Sequence, residues 1–224
     1  RFSWTPRPGE RIPWIRGFMP LVQADYLTDD DRELLTRTLE TKLWVEFQNG
    51  SRFSAARKFR FERLTEPFFI RPDQAIPVGD YPFSEYTLTY SSDRSRMLSG
   101  EVRFSSGDFF GGERDVYRFQ VVFRKDYRFE AQVTWDHNDI NLPSGNFATD
   151  LVITRVQYAF SNNLFLKGLI QYNSDLNQVC SNIRFNFIHR PLSDLFLIYN
   201  EKRSTNGEVS ERGLIAKLTY TFSL

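Results

Sequence analysis

Cys180 is the only cysteine in the 224 residues, so neither an intrachain disulfide nor a metal site built on several thiolates can form. No apolar run reaches the roughly 18 residues that a membrane-spanning helix needs, which excludes that class of membrane protein. Blocks of one charge sign are equally scarce. The longest is Asp29-Asp30-Asp31, and the net charge of +1 points away from a nucleic-acid partner. That acidic run lacks the glycine and distal glutamate of a dedicated calcium loop, so it reads as a solvated turn. Neither an initiator methionine nor an apolar leader precedes Arg1, as expected of an exported chain whose signal has been removed.

What the sequence does have is alternation. A composition of 41% hydrophobic and 25% charged residues would suit a soluble protein, so patterning decides the class. A mean hydropathy of −0.45 is compatible with strands that are apolar on every second position only. In the final stretch Leu214, Ala216, Leu218, Tyr220, Phe222 and Leu224 alternate with Gly213, Ile215, Lys217, Thr219, Thr221 and Ser223. Its length suits the roughly 9–11 residues of a strand tilted through a bilayer. The same period places strands at 15–26, 35–48, 52–63, 86–90, 98–105, 117–124, 127–136, 151–160, 164–173, 179–189 and 195–201.

Three places break the pattern. Pro20 predicts a bulge in the first strand, because it removes a ladder hydrogen bond. Arg57 shares a face with Phe53, Ala55, Phe59 and Phe61, and a second bulge or a displaced depth is expected there. A phase change near Arg155 predicts a third. Asn49-Gly50 predicts a tight hairpin with positive φ at both residues. Long loops are expected at 64–83, 137–148 and 202–211, with short turns on the opposite side. Residues 1–5 read as the tail of a strand begun upstream.

The fold expected is all-β: one antiparallel, up-and-down transmembrane β-barrel domain over residues 1–224, N-terminally incomplete. About 12 strands lie in this chain, and the even-number rule for bacterial barrels raises the total to about 14 or more. A bacterial outer membrane is the expected location, with membrane lipid as a partner and either upstream residues or another chain completing the barrel.

The polar alternate positions give the expected lumen-lining set: Glu40, Lys42, Glu46, Arg52, Lys58, Arg60, Glu62, Glu85, Glu101, Arg103, Arg118, Arg128, Glu130, Asp136, Lys167, Arg184 and Lys217. Interleaved signs can mean cross-strand pairs that fill an interior, or a slightly cationic passage for anionic or neutral solutes. Three motifs share one predicted side: Gly79-Asp80-Tyr81, Gly107-Asp108-Phe109 and Gly145-Asn146-Phe147. Ordinary turn chemistry explains them. A cluster of extracellular loops that narrows the mouth or binds a glycan or protein is the alternative. Asp136, His137, Asp139 and Ser144 match no triad spacing, and His189 reads as an interfacial residue near a strand end. No catalytic residue, metal ligand or cofactor is expected.

Phe47-Gln48-Asn49-Gly50, Glu62-Arg63-Leu64, Ile76-Pro77-Val78-Gly79-Asp80-Tyr81, Gly107-Asp108-Phe109, Gln171-Tyr172-Asn173 and Arg190-Pro191-Leu192-Ser193-Asp194-Leu195-Phe196 carry a resemblance. Through them the chain resembles the C-terminal β-barrel region of a bacterial family of unknown function. Members of that family often carry an N-terminal module similar to family 9 carbohydrate-binding modules. The resemblance implies location more than activity. It leaves two functional expectations, a passive channel or uptake component and a non-conducting anchor for a carbohydrate- or partner-binding domain. A soluble β-sandwich, with its apolar faces packed together, is a third. If the alternation sets the faces, Leu43→Arg will block detergent-assisted folding more severely than Lys42→Leu, and equal tolerance in a folding assay would contradict the register.

Overall fold

The computed structural model describes residues 5–221, and the ends of both terminal stretches, including Phe222 and Leu224, lie outside the described residues. After a short 3-10 turn at Gly9–Arg11, the chain forms β1 (Ile15–Thr28), β2 (Leu34–Phe47), β3 (Arg52–Leu64), β4 (Phe68–Arg71), β5 (Gln74–Ile76), β6 (Gly79–Ser91) and β7 (Leu98–Phe109). It continues with β8 (Gly112–Lys125), β9 (Phe129–Leu142), β10 (Gly145–Ser161), β11 (Leu164–Asn173), β12 (Gln178–Arg190), β13 (Ser193–Ser204) and β14 (Val209–Thr219). Twelve of these make one up-and-down sheet in the order β1-β2-β3-β6-β7-β8-β9-β10-β11-β12-β13-β14, while β4 and β5 form a separate small hairpin. No pairing closes β1 onto β14 among the described residues.

The chain divides into two compact units. The first takes Arg1–Asp93, Glu101–Arg118 and His137–Ala148; the second takes Arg94–Gly100, Phe119–Asp136 and Thr149–Leu224. Within the first unit the ladder links Pro20, Leu43, Ala55, Leu88 and Phe104 in one cross-strand row. A row of the opposite parity links Gln23, Glu40, Lys58, Glu85 and Gly107. Since successive side chains leave a strand on opposite faces, the two rows define an apolar and a charged face. In the second unit the corresponding rows are Val156-Gly168-Ile183-Tyr199-Leu214 and Gln157-Lys167-Arg184-Ile198-Ile215.

The apolar face is not a core. Val22 is 69% exposed and Leu214 75%, and Leu43, Phe59, Leu88, Ile170 and Ile183 are likewise exposed. The buried apolar residues gather elsewhere, around Ile76, Phe83, Phe110, Ile140 and Leu142 in the first unit.

Several sequence expectations are corrected by the ladder. Pro20 pairs in register with Leu43, and the shifts in β1 fall between Ile15 and Gly17 and between Leu27 and Thr28. β1 is the edge strand of this sheet, where a missing N–H donor is tolerated without a bulge. At Arg57 β2 and β3 stay in register; the guanidinium lies over the Phe59 and Tyr86 rings, 4.2 and 5.0 Å from their centroids. β10 pairs with β11 in register from Leu151 to Ala159, so no bulge falls near Arg155 in that pair and Arg155 shares the face of Gln157 and Lys167. At Asn49-Gly50 only the glycine has positive φ, at 83°. The Asn49 carboxamide oxygen instead accepts from the Ser51 N–H and hydroxyl at 2.9 and 2.7 Å.

The three long loops contract. Residues 64–83 hold the β4–β5 hairpin, 137–148 are almost wholly strand with a turn at Pro143-Ser144, and only 205–208 separate β13 from β14. Proline and glycine suggested loop where they mark tight turns between long strands. The predicted contrast between short and long sides therefore rests on the β3–β6 connection alone.

Gly107 shows how close the strands run. A Cβ there would lie 2.1 Å from the Ser84 carbonyl oxygen and 2.6 Å from Glu85 Cα, whereas a Cβ on Gly168 would meet nothing within 4 Å. Gly107→Ala is expected to lower unfolding stability by about 1–3 kcal/mol, the usual cost of overpacking, with Gly168→Ala no less stable than the wild type. The urea midpoint, read by tryptophan fluorescence, tests both.

Candidate functional site

The charged face is the strongest concentration of chemistry in the chain. In the first unit Arg52 reaches Glu46 at 3.2 Å across the β2–β3 ladder, and Arg16 meets the same carboxylate at 3.5 Å. Arg103 bonds Glu101 at 3.2 Å along β7, and Arg114 reaches Glu85 at 2.8 Å. Lys42 lies 4.5 Å above the Trp44 ring. Glu40 and Glu85 flank Lys58 in register, Arg60 follows one pleat further on, and Glu62 faces Tyr81 across the β3–β6 ladder. Pairs of this kind on an open sheet contribute little stability each, and their effect is to set local potential.

In the second unit Arg124 donates twice to Glu130, from Nε at 2.8 Å and from Nη2 at 2.5 Å. Lys167 and Arg184 stand directly opposite each other on β11 and β12, and Lys217 pairs in register with Phe196. Arg118 lies in β8 as expected. Arg128 does not line this face: it sits in the β8–β9 turn, where its Nε donates to the Tyr127 hydroxyl at 3.1 Å. The turn extends three residues, one more than Lys125-Asp126 suggested, because Asp126 adopts a left-handed φ of 52° and its carboxylate accepts from the Arg128 N–H at 2.9 Å.

At one end of the first unit the charged face becomes aromatic. Leu64, Tyr81, Phe83 and Phe109 occupy charged-face positions at the ends of β3, β6 and β7, and the β4–β5 hairpin packs Ile70 and Ile76 against them. Ile76 is only 2% exposed. Phe110 lies at the middle, with ring centroids 5.0 Å from Phe83, 5.0 Å from Phe109 and 5.2 Å from Tyr81. Arg114 stacks 4.6 Å from the Phe109 ring and Arg71 4.5 Å from Phe147. A cleft of about 130 Å³ lies where the faces meet, lined by Lys58, Arg60, Glu85, Asp108 and Arg114 with Phe83, Phe109 and Phe110.

The three predicted loop motifs converge on this cluster, but they do so from strand ends. Gly79, Asp80 and Tyr81 open β6, Gly107, Asp108 and Phe109 close β7, and Gly145, Asn146 and Phe147 open β10. Tyr81, Phe109 and Phe147 pack against the buried core, and the Tyr81 hydroxyl donates to the Pro77 carbonyl at 2.8 Å. The Asp108 carboxylate accepts from the Ser84 N–H at 2.9 Å. Turn chemistry and aromatic anchoring thus account for the shared pattern.

Asp80 belongs to the other face. Its carboxylate accepts from Arg63 Nε at 2.8 Å across the β3–β6 ladder, two residues along from the Phe61–Pro82 pair on the same face, and Arg63 also reaches Glu33 at 2.9 Å. Asp136 and His137 are consecutive on β9 and leave it on opposite faces, and Ser144 lies in the turn that follows β9. Residues missed by the sequence reading are Arg114, Arg124 and Arg155. An unbroken alternation of Val152, Thr154, Val156, Tyr158 and Phe160 was the signal that would have placed Arg155 opposite them.

The aromatic cluster should be a stability centre. Ile76→Ala is expected to cost about 2–5 kcal/mol, with the lost side chain leaving a cavity under the hairpin, and the urea midpoint of the purified chain measures it. No protein family, curated protein or solved structure matches the chain, so its fold and site stand on their own geometry.

Proposed function

We propose that the chain is the greater part of an outer-membrane β-barrel that lets small polar solutes pass along its charged face. The observation that carries this reading is the exposed apolar face. Val22, Leu43, Leu88, Ile170, Ile183 and Leu214 would each cost free energy in water, about 25 cal/mol per Å² of apolar surface, and acyl chains are the solvent that removes the cost. Ladder pairing satisfies the backbone within each unit, as a strand in lipid requires. Among the described residues β1 and β14 pair with no further strand on their outer sides, although the Phe18 N–H reaches the Pro6 carbonyl, and such edges call for closure by other strands or by another chain. The ion-paired polar face then lines water, and diffusion past it needs no cofactor.

A second reading is supported by the aromatic cluster, which occupies charged-face positions and puts apolar bulk where a passage would need water. Under it the barrel is a non-conducting anchor for a surface module that binds carbohydrate or a protein partner, in keeping with the family that the motifs resemble. Conductance separates the two. The purified full-length protein in a planar bilayer should give steady single-channel currents, and Arg103→Glu should shift selectivity towards cations. A folded, inserted and electrically silent protein would favour the anchor, and extraction from membranes without detergent would remove the membrane assignment.

A further inference from the structure

We infer that the charged face of the second unit carries a binding site for a small phosphate-type oxyanion, built from Arg155, Lys167 and Arg184. As a station for solutes in transit the site rests on the channel reading; as a binding site it stands on its own geometry.

The ladder fixes the constellation. Lys167 on β11 is the direct register partner of Arg184 on β12, and Arg155 on β10 pairs with Leu169, one pleat along the same face. Directly opposed side chains have Cβ atoms about 4.5–5.5 Å apart and diagonal ones about 7–8 Å, and like charges at such positions repel. Several arginines of the charged face are each held by a carboxylate, as Arg124 is by Glu130 and Arg114 by Glu85. These three cations are not. Among the described residues Arg155, Lys167 and Arg184 form no side-chain hydrogen bond or ion pair. Glu130 borders the same cleft, but its carboxylate is held by the Arg124 guanidinium through two hydrogen bonds.

The three cations surround a cleft of about 280 Å³, whose lining also includes the amides of Gln157 and Asn182. Two guanidinium forks, one ammonium and the Gln157 amide form a donor set with an excess of positive charge, while the Asn182 amide already donates to the Asn200 carboxamide oxygen. A tetrahedral dianion satisfies it better than a monovalent carboxylate, because its several oxygens can accept from both forks and the ammonium at once and its two negative charges offset two of the three positive ones. The three cations are close enough together to meet on one small oxyanion such as inorganic phosphate or a small phosphate ester. The opposed cations therefore store repulsion that an arriving oxyanion releases.

That repulsion supplies a test with two opposite signs. The full-length protein in detergent is melted at low ionic strength, with inorganic phosphate, glycerol phosphate, or acetate and chloride at matched ionic strength. The wild type should gain melting temperature with phosphate beyond the gain with chloride or acetate. Lys167→Gln should melt higher than the wild type without phosphate and should lose the phosphate-specific gain. In titration calorimetry its phosphate affinity should fall about tenfold or more, the loss of one charge-assisted bond. Should that variant not fold, Arg184→Lys, which keeps the charge and loses the fork, should keep the low-salt stability of the wild type and bind phosphate more weakly. Glycerol phosphate matching inorganic phosphate would mark esters as ligands, and a response to inorganic phosphate alone would restrict the site to the free ion; both support it. Equal gains with phosphate, acetate and chloride would reduce the cluster to screened surface charge and overturn the proposal. Phosphate binding without conductance would sink the channel and leave the site, whereas conductance without a phosphate-specific gain would do the reverse.

Discussion

An in-register antiparallel ladder is the constraint on which everything else in this protein depends. Because side chains alternate with a period of two, a single-residue slip anywhere between β2 and β6 would exchange Leu43 and Leu88 for Glu40 and Glu85 on their faces. The structure holds β2 to β3 and β3 to β6 without a shift, and the irregularities in β1 are confined to its ends. Segregation of an apolar from a charged face is the product of that regularity.

The irregular residues are accommodated by side-chain contacts with the ladder intact. Arg57 stays on the apolar face because two rings, Phe59 and Tyr86, receive its guanidinium. The Arg63–Asp80 pair lies on the same face near the end of the β3–β6 ladder, where each charge is met by the other. Opposite charges meet at Glu46 and Glu85, yet β10 to β12 gather cations without a carboxylate to spare. A sheet can carry such an imbalance because its backbone bonds, and not its surface charges, determine the register.

The strand count, the up-and-down order and the identity of the charged face were legible in the sequence, since alternation over a dozen residues is a long-range signal. Loop extent was not. Gly107, Gly112 and Gly145 were read as loop, although two of them are needed because neighbouring backbone approaches too closely for a Cβ. Pro20 and Arg57 misled because propensity rules weigh a residue alone, while an edge position and two neighbouring rings decided the outcome. The convergence of Tyr81, Phe109 and Phe147 could not be read at all, for it depends on contacts between residues far apart in the chain.

Phe110 gives that convergence a further meaning. Its backbone adopts a left-handed φ of 46°, a region a bulky side chain rarely occupies, and Gly111 follows at 79°. The β7–β8 turn is therefore unfavourable as an isolated hairpin and is held by the rings of Tyr81, Phe83 and Phe109 around its own. The contacts that hold Phe110 in this conformation therefore come largely from β6, a strand well removed from the turn in sequence.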